Sequence, residues 1–343
     1  MTTLPPKMRA VQLRDYEGQP SSLIVAEVPV PRPGRGEVLV RVAASPVNPS
    51  DLMFIAGRYG IRKPLPATPG LEGSGTVVEA GSGFMAGFMK GRRVACAATD
   101  PKSSAGMWAE YVVTGAQFCV PLAKQVDMEQ GATMLVNPFT AWALMEAARK
   151  GGHRATVQTA AASALGRMVI RLGQRLSLPV INVVRRPEQV ELLRGMGGDP
   201  VLNSSDPDFD DNLRRVCHKF GATISFEAVA GEMAGRILRA QPPGSRMLIY
   251  GGLSLKAAEI DLASLIFEGK HVEGFWLSAW LRSKNLLGQL QVARRVQELL
   301  AGELKTEIRA RLPLEKVADG LASYAAEMTG GKVLLVPGAV QGL

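Results

Sequence analysis

A chain of 343 residues is longer than one hydrophobic core usually serves, so two domains are expected. Hydrophobic residues at 46% and charged residues at 21% fit a globular protein, and no apolar run reaches the roughly 18 residues that a membrane span needs. The net charge of +9 includes dispersed arginines (Arg171, Arg175, Arg214, Arg215, Arg294, Arg295) and comes with no nucleic-acid motif, so it reads as solvated helix faces and attraction for a polyanionic cofactor rather than nucleic-acid binding.

Along the chain, Met1–Val11 lacks both the apolar core of a secretory signal and the Arg/Ser-rich pattern of a transit peptide, which points to the cytoplasm. The first 125 residues read mainly as β: Val38–Val42, Gly75–Val78 and Ala109–Val113 are short β-branched segments bounded by Gly and Pro. From about Ala132 strands alternate with helices. Ala155–Thr159 reads as a buried strand, Leu165–Leu176 as a helix, Pro179–Val184 as a strand and Pro187–Met196 as a helix. Pro187 suits a first helical turn and Gly197-Gly198 its exit. Leu202, Thr223–Phe226 and Arg246–Tyr250 continue the alternation, which predicts a doubly wound parallel sheet. The stretch Gly274–Trp280 reads as an apolar strand carrying two tryptophans; a helix near Leu286–Leu300 and a terminal strand Lys332–Val336 follow.

The turn after Ala155–Thr159 has Ala161, Ser163 and Gly166 where a dinucleotide-binding loop carries three glycines. All are small, as a tight turn, close approach of a pyrophosphate and close helix packing require. Alone such a loop is a weak signal. About twenty residues on, where NAD-preferring sites hold an Asp or Glu, the chain has Arg185-Arg186. No carboxylate stands there to repel a 2′-phosphate, and two guanidiniums are placed to grip one in bidentate geometry. The pair points to NADPH.

With these residues in hand, the chain resembles the medium-chain dehydrogenase/reductase superfamily over nearly its whole length, in particular the mitochondrial-type trans-2-enoyl thioester reductases and next the NADPH:quinone reductases. The resemblance rests on an ordered set: VNPSD (Val47–Asp51), GRYGIRKPLPATP (Gly57–Pro69), GLEGSG (Gly70–Gly75), VNPFTAW (Val136–Trp142), SALG (Ser163–Gly166), INVVRR (Ile181–Arg186), YGGL (Tyr250–Leu253) and GFWLSAW (Gly274–Trp280). It implies an α/β fold: a GroES-like partly open β-barrel catalytic domain (1–126, completed by 273–343) and a Rossmann doubly wound parallel-sheet domain (127–272), in a homodimer. The family's S-G-V-G loop is altered, since Ala164 and Leu165 replace its inner Gly and Val. Zinc-dependent alcohol dehydrogenases of the superfamily have Cys where this chain has Asn48 and His where it has Leu71, and neither replacement is a usual zinc ligand. The three cysteines (Cys96, Cys119, Cys217) and three histidines (His153, His218, His271) are dispersed, so no metal is expected.

Zinc-free reduction of an activated alkene needs a hydride from the nicotinamide, a stabilised carbonyl oxygen and a proton for the α-carbon. The resemblance assigns the catalytic role to Tyr59, whose phenol stays protonated at neutral pH. It assigns the cofactor to Asn137, Ser163, Ala164, Leu165, Gly166, Arg185, Arg186, Tyr250, Gly251, Gly252, Leu253, Phe275, Trp276, Leu277, Ser278 and Lys332. From residues alone, Tyr59 also reads as a loop tyrosine capping the sheet and Trp276 as a core or dimer-interface residue, while the resemblance also implies an acyl-pocket wall at Trp276. The expected function is NADPH-dependent reduction of the C=C bond of an α,β-unsaturated carbonyl compound, with a 2-enoyl thioester as one such small-molecule substrate. Quinone reduction is the nearest alternative; an idle NADPH-binding sensor or nucleic-acid binder is the alternative of another class.

Overall fold

A computed structural model describes residues 4–19 and 22–338. The backbone divides into two compact units: Met1–Val136 with Gln297–Ala301 and Lys305–Leu343, and Asn137–Val296 with Gly302–Leu304. The changeovers thus fall after Val136 and Val296, later than the expected 126 and 272. Local packing explains both. The helix Met128–Ala132 lies against strands of the first unit, while the last strand of the parallel sheet holds the residues around 273 in the second.

In the first unit β1 (Lys7–Leu13) and β2 (Leu23–Pro29) form an antiparallel hairpin, followed by β3 (Glu37–Pro46), β4 (Glu72–Ala80), β5 (Arg93–Ala97), β6 (Tyr111–Gly115) and β7 (Cys119–Pro121). The ten-residue β3 pairs with both β4 and β6 and is bulged twice against β4. At one bulge a Cβ on Gly75 would stand 2.1 Å from Arg41 O, so only glycine allows this approach.

The second unit is built on six parallel strands: β8 (Ala155–Gln158), β9 (Val180–Val184), β10 (Val201–Asn203), β11 (Ala222–Glu227), β12 (Arg246–Ile249) and β13 (His271–Gly274). Their order is β10-β9-β8-β11-β12-β13. Both β8 (ATVQ) and β9 (VINVV) are buried at every residue, as strands with helices on both faces must be. The helix Ala164–Leu176 buries Leu165, Met168, Val169 and Leu172, one face at helical spacing, and packs against the helix Asn137–Lys150. Strand order reverses between β8 and β11, the point at which such sheets open a crevice at their carboxyl ends.

The chain returns to the first unit with β14 (Ile308–Leu312) and β15 (Lys332–Leu335), completing the sheet order β14-β15-β3-β4-β5-β7. Val333 and Leu335 join Val11, Leu13, Phe54 and Trp108 in one core cluster. The six-stranded parallel sheet and the mainly antiparallel first unit agree with the expected fold class. One element is corrected: GFWLSAW is not a strand. β13 stops at Gly274 opposite the last residue of β12, Phe275 N makes the final ladder bond to Ile249 O (2.7 Å), and Trp276 caps a helix, Leu277–Arg282. With no partner strand beyond Ile249, the backbone satisfies itself as a helix.

Candidate active site

The loop after β8 is shaped for a close approach. Ala160 takes the left-handed conformation (φ +50°), and Ser163 caps the following helix by accepting from Gly166 N (3.1 Å). A Cβ on Gly166 would sit 2.3 Å from Ala161 O, so this third small position must be glycine. The fully buried Gln158 fixes the same turn, its Nε2 donating to Gly166 O (2.9 Å) and Asn182 Oδ1 (2.7 Å). Ala164 and Leu165 open the helix, where backbone N–H groups lack intrahelical acceptors and the helix dipole favours an anion.

Arg185 and Arg186 follow the carboxyl end of β9 and are both exposed. Arg186 pairs with Glu188 in the next helix (Nε–Oε1 3.0 Å), whereas the Arg185 guanidinium is in no ion pair among the described residues. Tyr250–Leu253 follow β12 and Phe275–Ser278 follow β13, so loop, Arg pair and both segments lie beyond the carboxyl ends of one sheet. Leu253 and Trp276 are exposed; Tyr250, Gly251, Gly252, Phe275, Leu277 and Ser278 are half-buried. Burial and the neighbouring Glu227 push the Tyr250 phenol above its ordinary range, keeping it protonated. Asn137 is buried at the first position of its helix. These residues form a surface suited to a dinucleotide: a glycine-dependent turn, a helix amino end and exposed guanidiniums along one sheet edge.

The first unit holds Tyr59 and Lys332. Tyr59 is half-buried and packs on the core cluster of Val47, Phe54 and Val333. Lys332 is buried within a polar network that sequence reasoning missed. Its Nζ donates to Asn48 Oδ1, to Val47 O (3.3 Å) and to Tyr324 OH (3.4 Å). Asn48 Nδ2 in turn donates to Glu72 Oε1 (2.9 Å), and Glu72 Oε2 accepts from Leu135 N and Val136 N (2.9 Å each). Asp51 accepts from Asn48 N (2.9 Å) and Leu71 N (3.0 Å). Burial raises Asp51 to about 6 and Glu72 to about 7 against the opposing pull of these donors and Lys332, and lowers Lys63 to about 8. A signal was present: Glu72 is the lone charge in the run Gly70–Val78, otherwise small or apolar.

Residues 34–124 match the alcohol dehydrogenase GroES-like domain and residues 164–291 the zinc-binding dehydrogenase family. The mitochondrial enoyl-[acyl-carrier-protein] reductase of Arabidopsis thaliana is 31% identical over 310 residues, 88% of this chain and 79% of that protein. The chain belongs to the medium-chain dehydrogenase/reductase superfamily. A mitochondrial enoyl-[acyl-carrier-protein] reductase of Caenorhabditis elegans is likewise 31% identical over 324 residues, 91% of this chain and 89% of its own. Among solved structures, a candidate NADPH:quinone reductase from Mesorhizobium loti has a TM-score of 0.91 and 36% identity, covering 98% of this chain and 100% of its own. Another from Bacillus thuringiensis has a TM-score of 0.85 and 26% identity, covering 97% and 99%. As a superfamily member this dehydrogenase/reductase is an oxidoreductase built to take a nicotinamide cofactor. Among the described residues no three or more His, Cys, Asp or Glu side chains group as a metal site, and no helix is long and apolar enough to cross a membrane.

Proposed function

We propose that this superfamily member is a zinc-independent, NADPH-dependent reductase of the C=C bond in α,β-unsaturated carbonyl compounds, with 2-enoyl thioesters as the leading substrate class. The observation that carries the cofactor choice is Arg185-Arg186 at the carboxyl end of β9, exposed and without a carboxylate at the ribose position. Bound NADPH supplies the hydride. Ser163–Gly166 would receive the pyrophosphate, Arg185 and Arg186 the 2′-phosphate, and Asn137, Tyr250–Leu253 and Phe275–Ser278 the remainder. Lys332 joins that set only if its ammonium gives up Asn48 Oδ1. Tyr59 is assigned to the substrate carbonyl or α-carbon as hydrogen-bond donor and acid.

Independence from zinc finds support in the network at Asn48: its carboxamide is committed on both sides, to Glu72 and to Lys332, and the neighbouring position is Leu71. The enoyl substrate class is supported by the names of the 31%-identical relatives. Quinone reduction is the second reading, favoured by the name of the 36%-identical structure. A homodimer belongs to the proposal, supported by β13, which among the described residues pairs only with β12, and by exposed Leu262, Ile266 and Phe267 just before it. The cytoplasm is the proposed location. An NADPH-oxidation screen of enoyl thioesters, enones and quinones tests the reading: enoyl thioesters should give the highest kcat/KM, and turnover confined to quinones would replace it by the second.

A further inference from the structure

Glu227 ends β11, beside the point where strand order reverses, and is fully buried. Its Oε1 accepts from Thr159 Oγ1 (2.7 Å) and Val229 N (2.9 Å), and its Oε2 from Ala230 N (2.6 Å). Each partner is a donor. The two oxygens of the carboxylate accept from all three, and Val229 N and Ala230 N can only donate, so a replacement with fewer acceptor oxygens cannot serve the whole set in this way. Thr159 extends the clasp, its Oγ1 accepting from Ala228 N (2.8 Å) and so tying the end of β8 to the end of β11.

The turn held in this way is strained. Ala230 adopts φ +63° and ψ −153°, a conformation an L residue keeps only where its surroundings impose it. From this turn hangs the next loop: Glu227 O accepts from Tyr250 N (2.9 Å), Ala228 O from Leu253 N (3.0 Å) and Val229 O from Ser254 N (2.9 Å). Gly251 lies so near that a Cβ on it would stand 2.8 Å from Ala228 O. Thr159, the other arm of the clasp, is the residue immediately before the Ala160–Gly166 loop.

We propose that Glu227 is a positioning residue of the cofactor site: its carboxylate, with Thr159, locks the turn at 228–230 and through it holds the Tyr250–Leu253 loop and the start of the Ala160–Gly166 loop ready for NADPH. This rests on the cofactor reading above. Preorganisation of this kind is spent on binding, since a loop that must be ordered by the ligand weakens the ligand's affinity.

Glu227→Gln keeps the size of the side chain but removes its charge and leaves one acceptor oxygen where the carboxylate has two. Titration of the full-length variant followed by nicotinamide fluorescence should give an NADPH Kd raised about tenfold or more, with kcat at saturating NADPH within about threefold of the parent. In the ligand-free protein, the amides of Tyr250, Leu253 and Ser254 should exchange hydrogen faster. A residue serving stability alone would lower the melting temperature and leave Kd unchanged. Should Glu227→Gln not fold, Thr159→Val removes the hydroxyl at nearly constant volume and should raise the Kd about fivefold or more. A folded variant whose Kd stays within about twofold of the parent overturns the proposal while the cofactor reading stands. A parent that binds neither NADPH nor NADH overturns both.

Discussion

Replacing Arg185 by Ala probes the cofactor assignment most cleanly, because the two arginines are not equivalent. Arg186 shares its guanidinium with Glu188 at 3.0 Å, with 44% and 66% of the two side chains exposed. Such an exposed pair is worth about 0–1 kcal/mol, and it must loosen before Arg186 can turn fully to a phosphate. Among the described residues Arg185 has no such competitor. A charge-assisted hydrogen bond to a phosphate contributes about 1.5–3 kcal/mol, so losing one at Arg185 should weaken NADPH binding roughly ten- to 150-fold. Arg186→Ala should cost less, by about the strength of its existing ion pair. NADH has no 2′-phosphate and should bind both variants about as well as the parent. Fluorescence titration of both nucleotides at one fixed ionic strength measures this. Equal weakening of NADPH and NADH, or a larger loss at Arg186 than at Arg185, would refute the reasoning.

Further outcomes follow from the same geometry. Tyr59→Phe keeps the ring on its core cluster and removes the hydroxyl, so kcat for an enoyl substrate should fall about 10²–10⁴-fold with little change in melting temperature, and quinone turnover should suffer much less; an unchanged enoyl rate would make Tyr59 structural. Gly166→Ala sets a Cβ 2.3 Å from Ala161 O, a backbone atom, so its overpacking cost of about 1–3 kcal/mol should exceed the roughly 1 kcal/mol gain in helix propensity, read as a lower melting temperature and weaker NADPH binding. Glu72 has its pKa raised by burial to about 7 from 4.5, so the folded state holds this proton more tightly than the unfolded chain; its contribution is fully present below about pH 4.5 and is lost as the pH rises to about 7, about 3 kcal/mol in all. Denaturant titrations across that range should show a steeper decline in the parent than in Glu72→Gln, and parallel profiles would contradict it. Protein purified without added metal should keep its activity after chelation, given Asn48 and Leu71, and loss of activity with removal of stoichiometric zinc would reject the zinc-free reading.

The parallel-sheet unit was readable because burial on both faces leaves unbroken apolar strands such as ATVQ and VINVV, and because Pro187 opens its helix where a first-turn proline fits. The three-residue β7 was not, since so short a strand is decided by its partner β5, which pairs with it from Val94–Cys96, well upstream. Gly274–Trp280 misled for a related reason. Its apolar residues resemble a strand, but the neighbouring β12 ends at Ile249 and offers no further ladder. Of the candidate site, the loop and Arg pair could be found because their chemistry is local. The Asn48–Glu72–Lys332 network and the Glu227–Thr159 clasp escaped, because each joins side chains 24 to 284 residues apart that carry no shared motif.

The central claim is a direct transfer of hydride from NADPH to a carbon-carbon double bond. Incubating the protein with a 2-enoyl thioester and NADPH deuterated at the transferable position, then analysing the product by mass spectrometry, tests it in one step. The account predicts a saturated thioester carrying one deuterium on the β-carbon, formed in proportion to NADPH consumed and without added metal. Recovery of the unreduced enoyl thioester, while the same sample oxidises NADPH with a quinone, would contradict it.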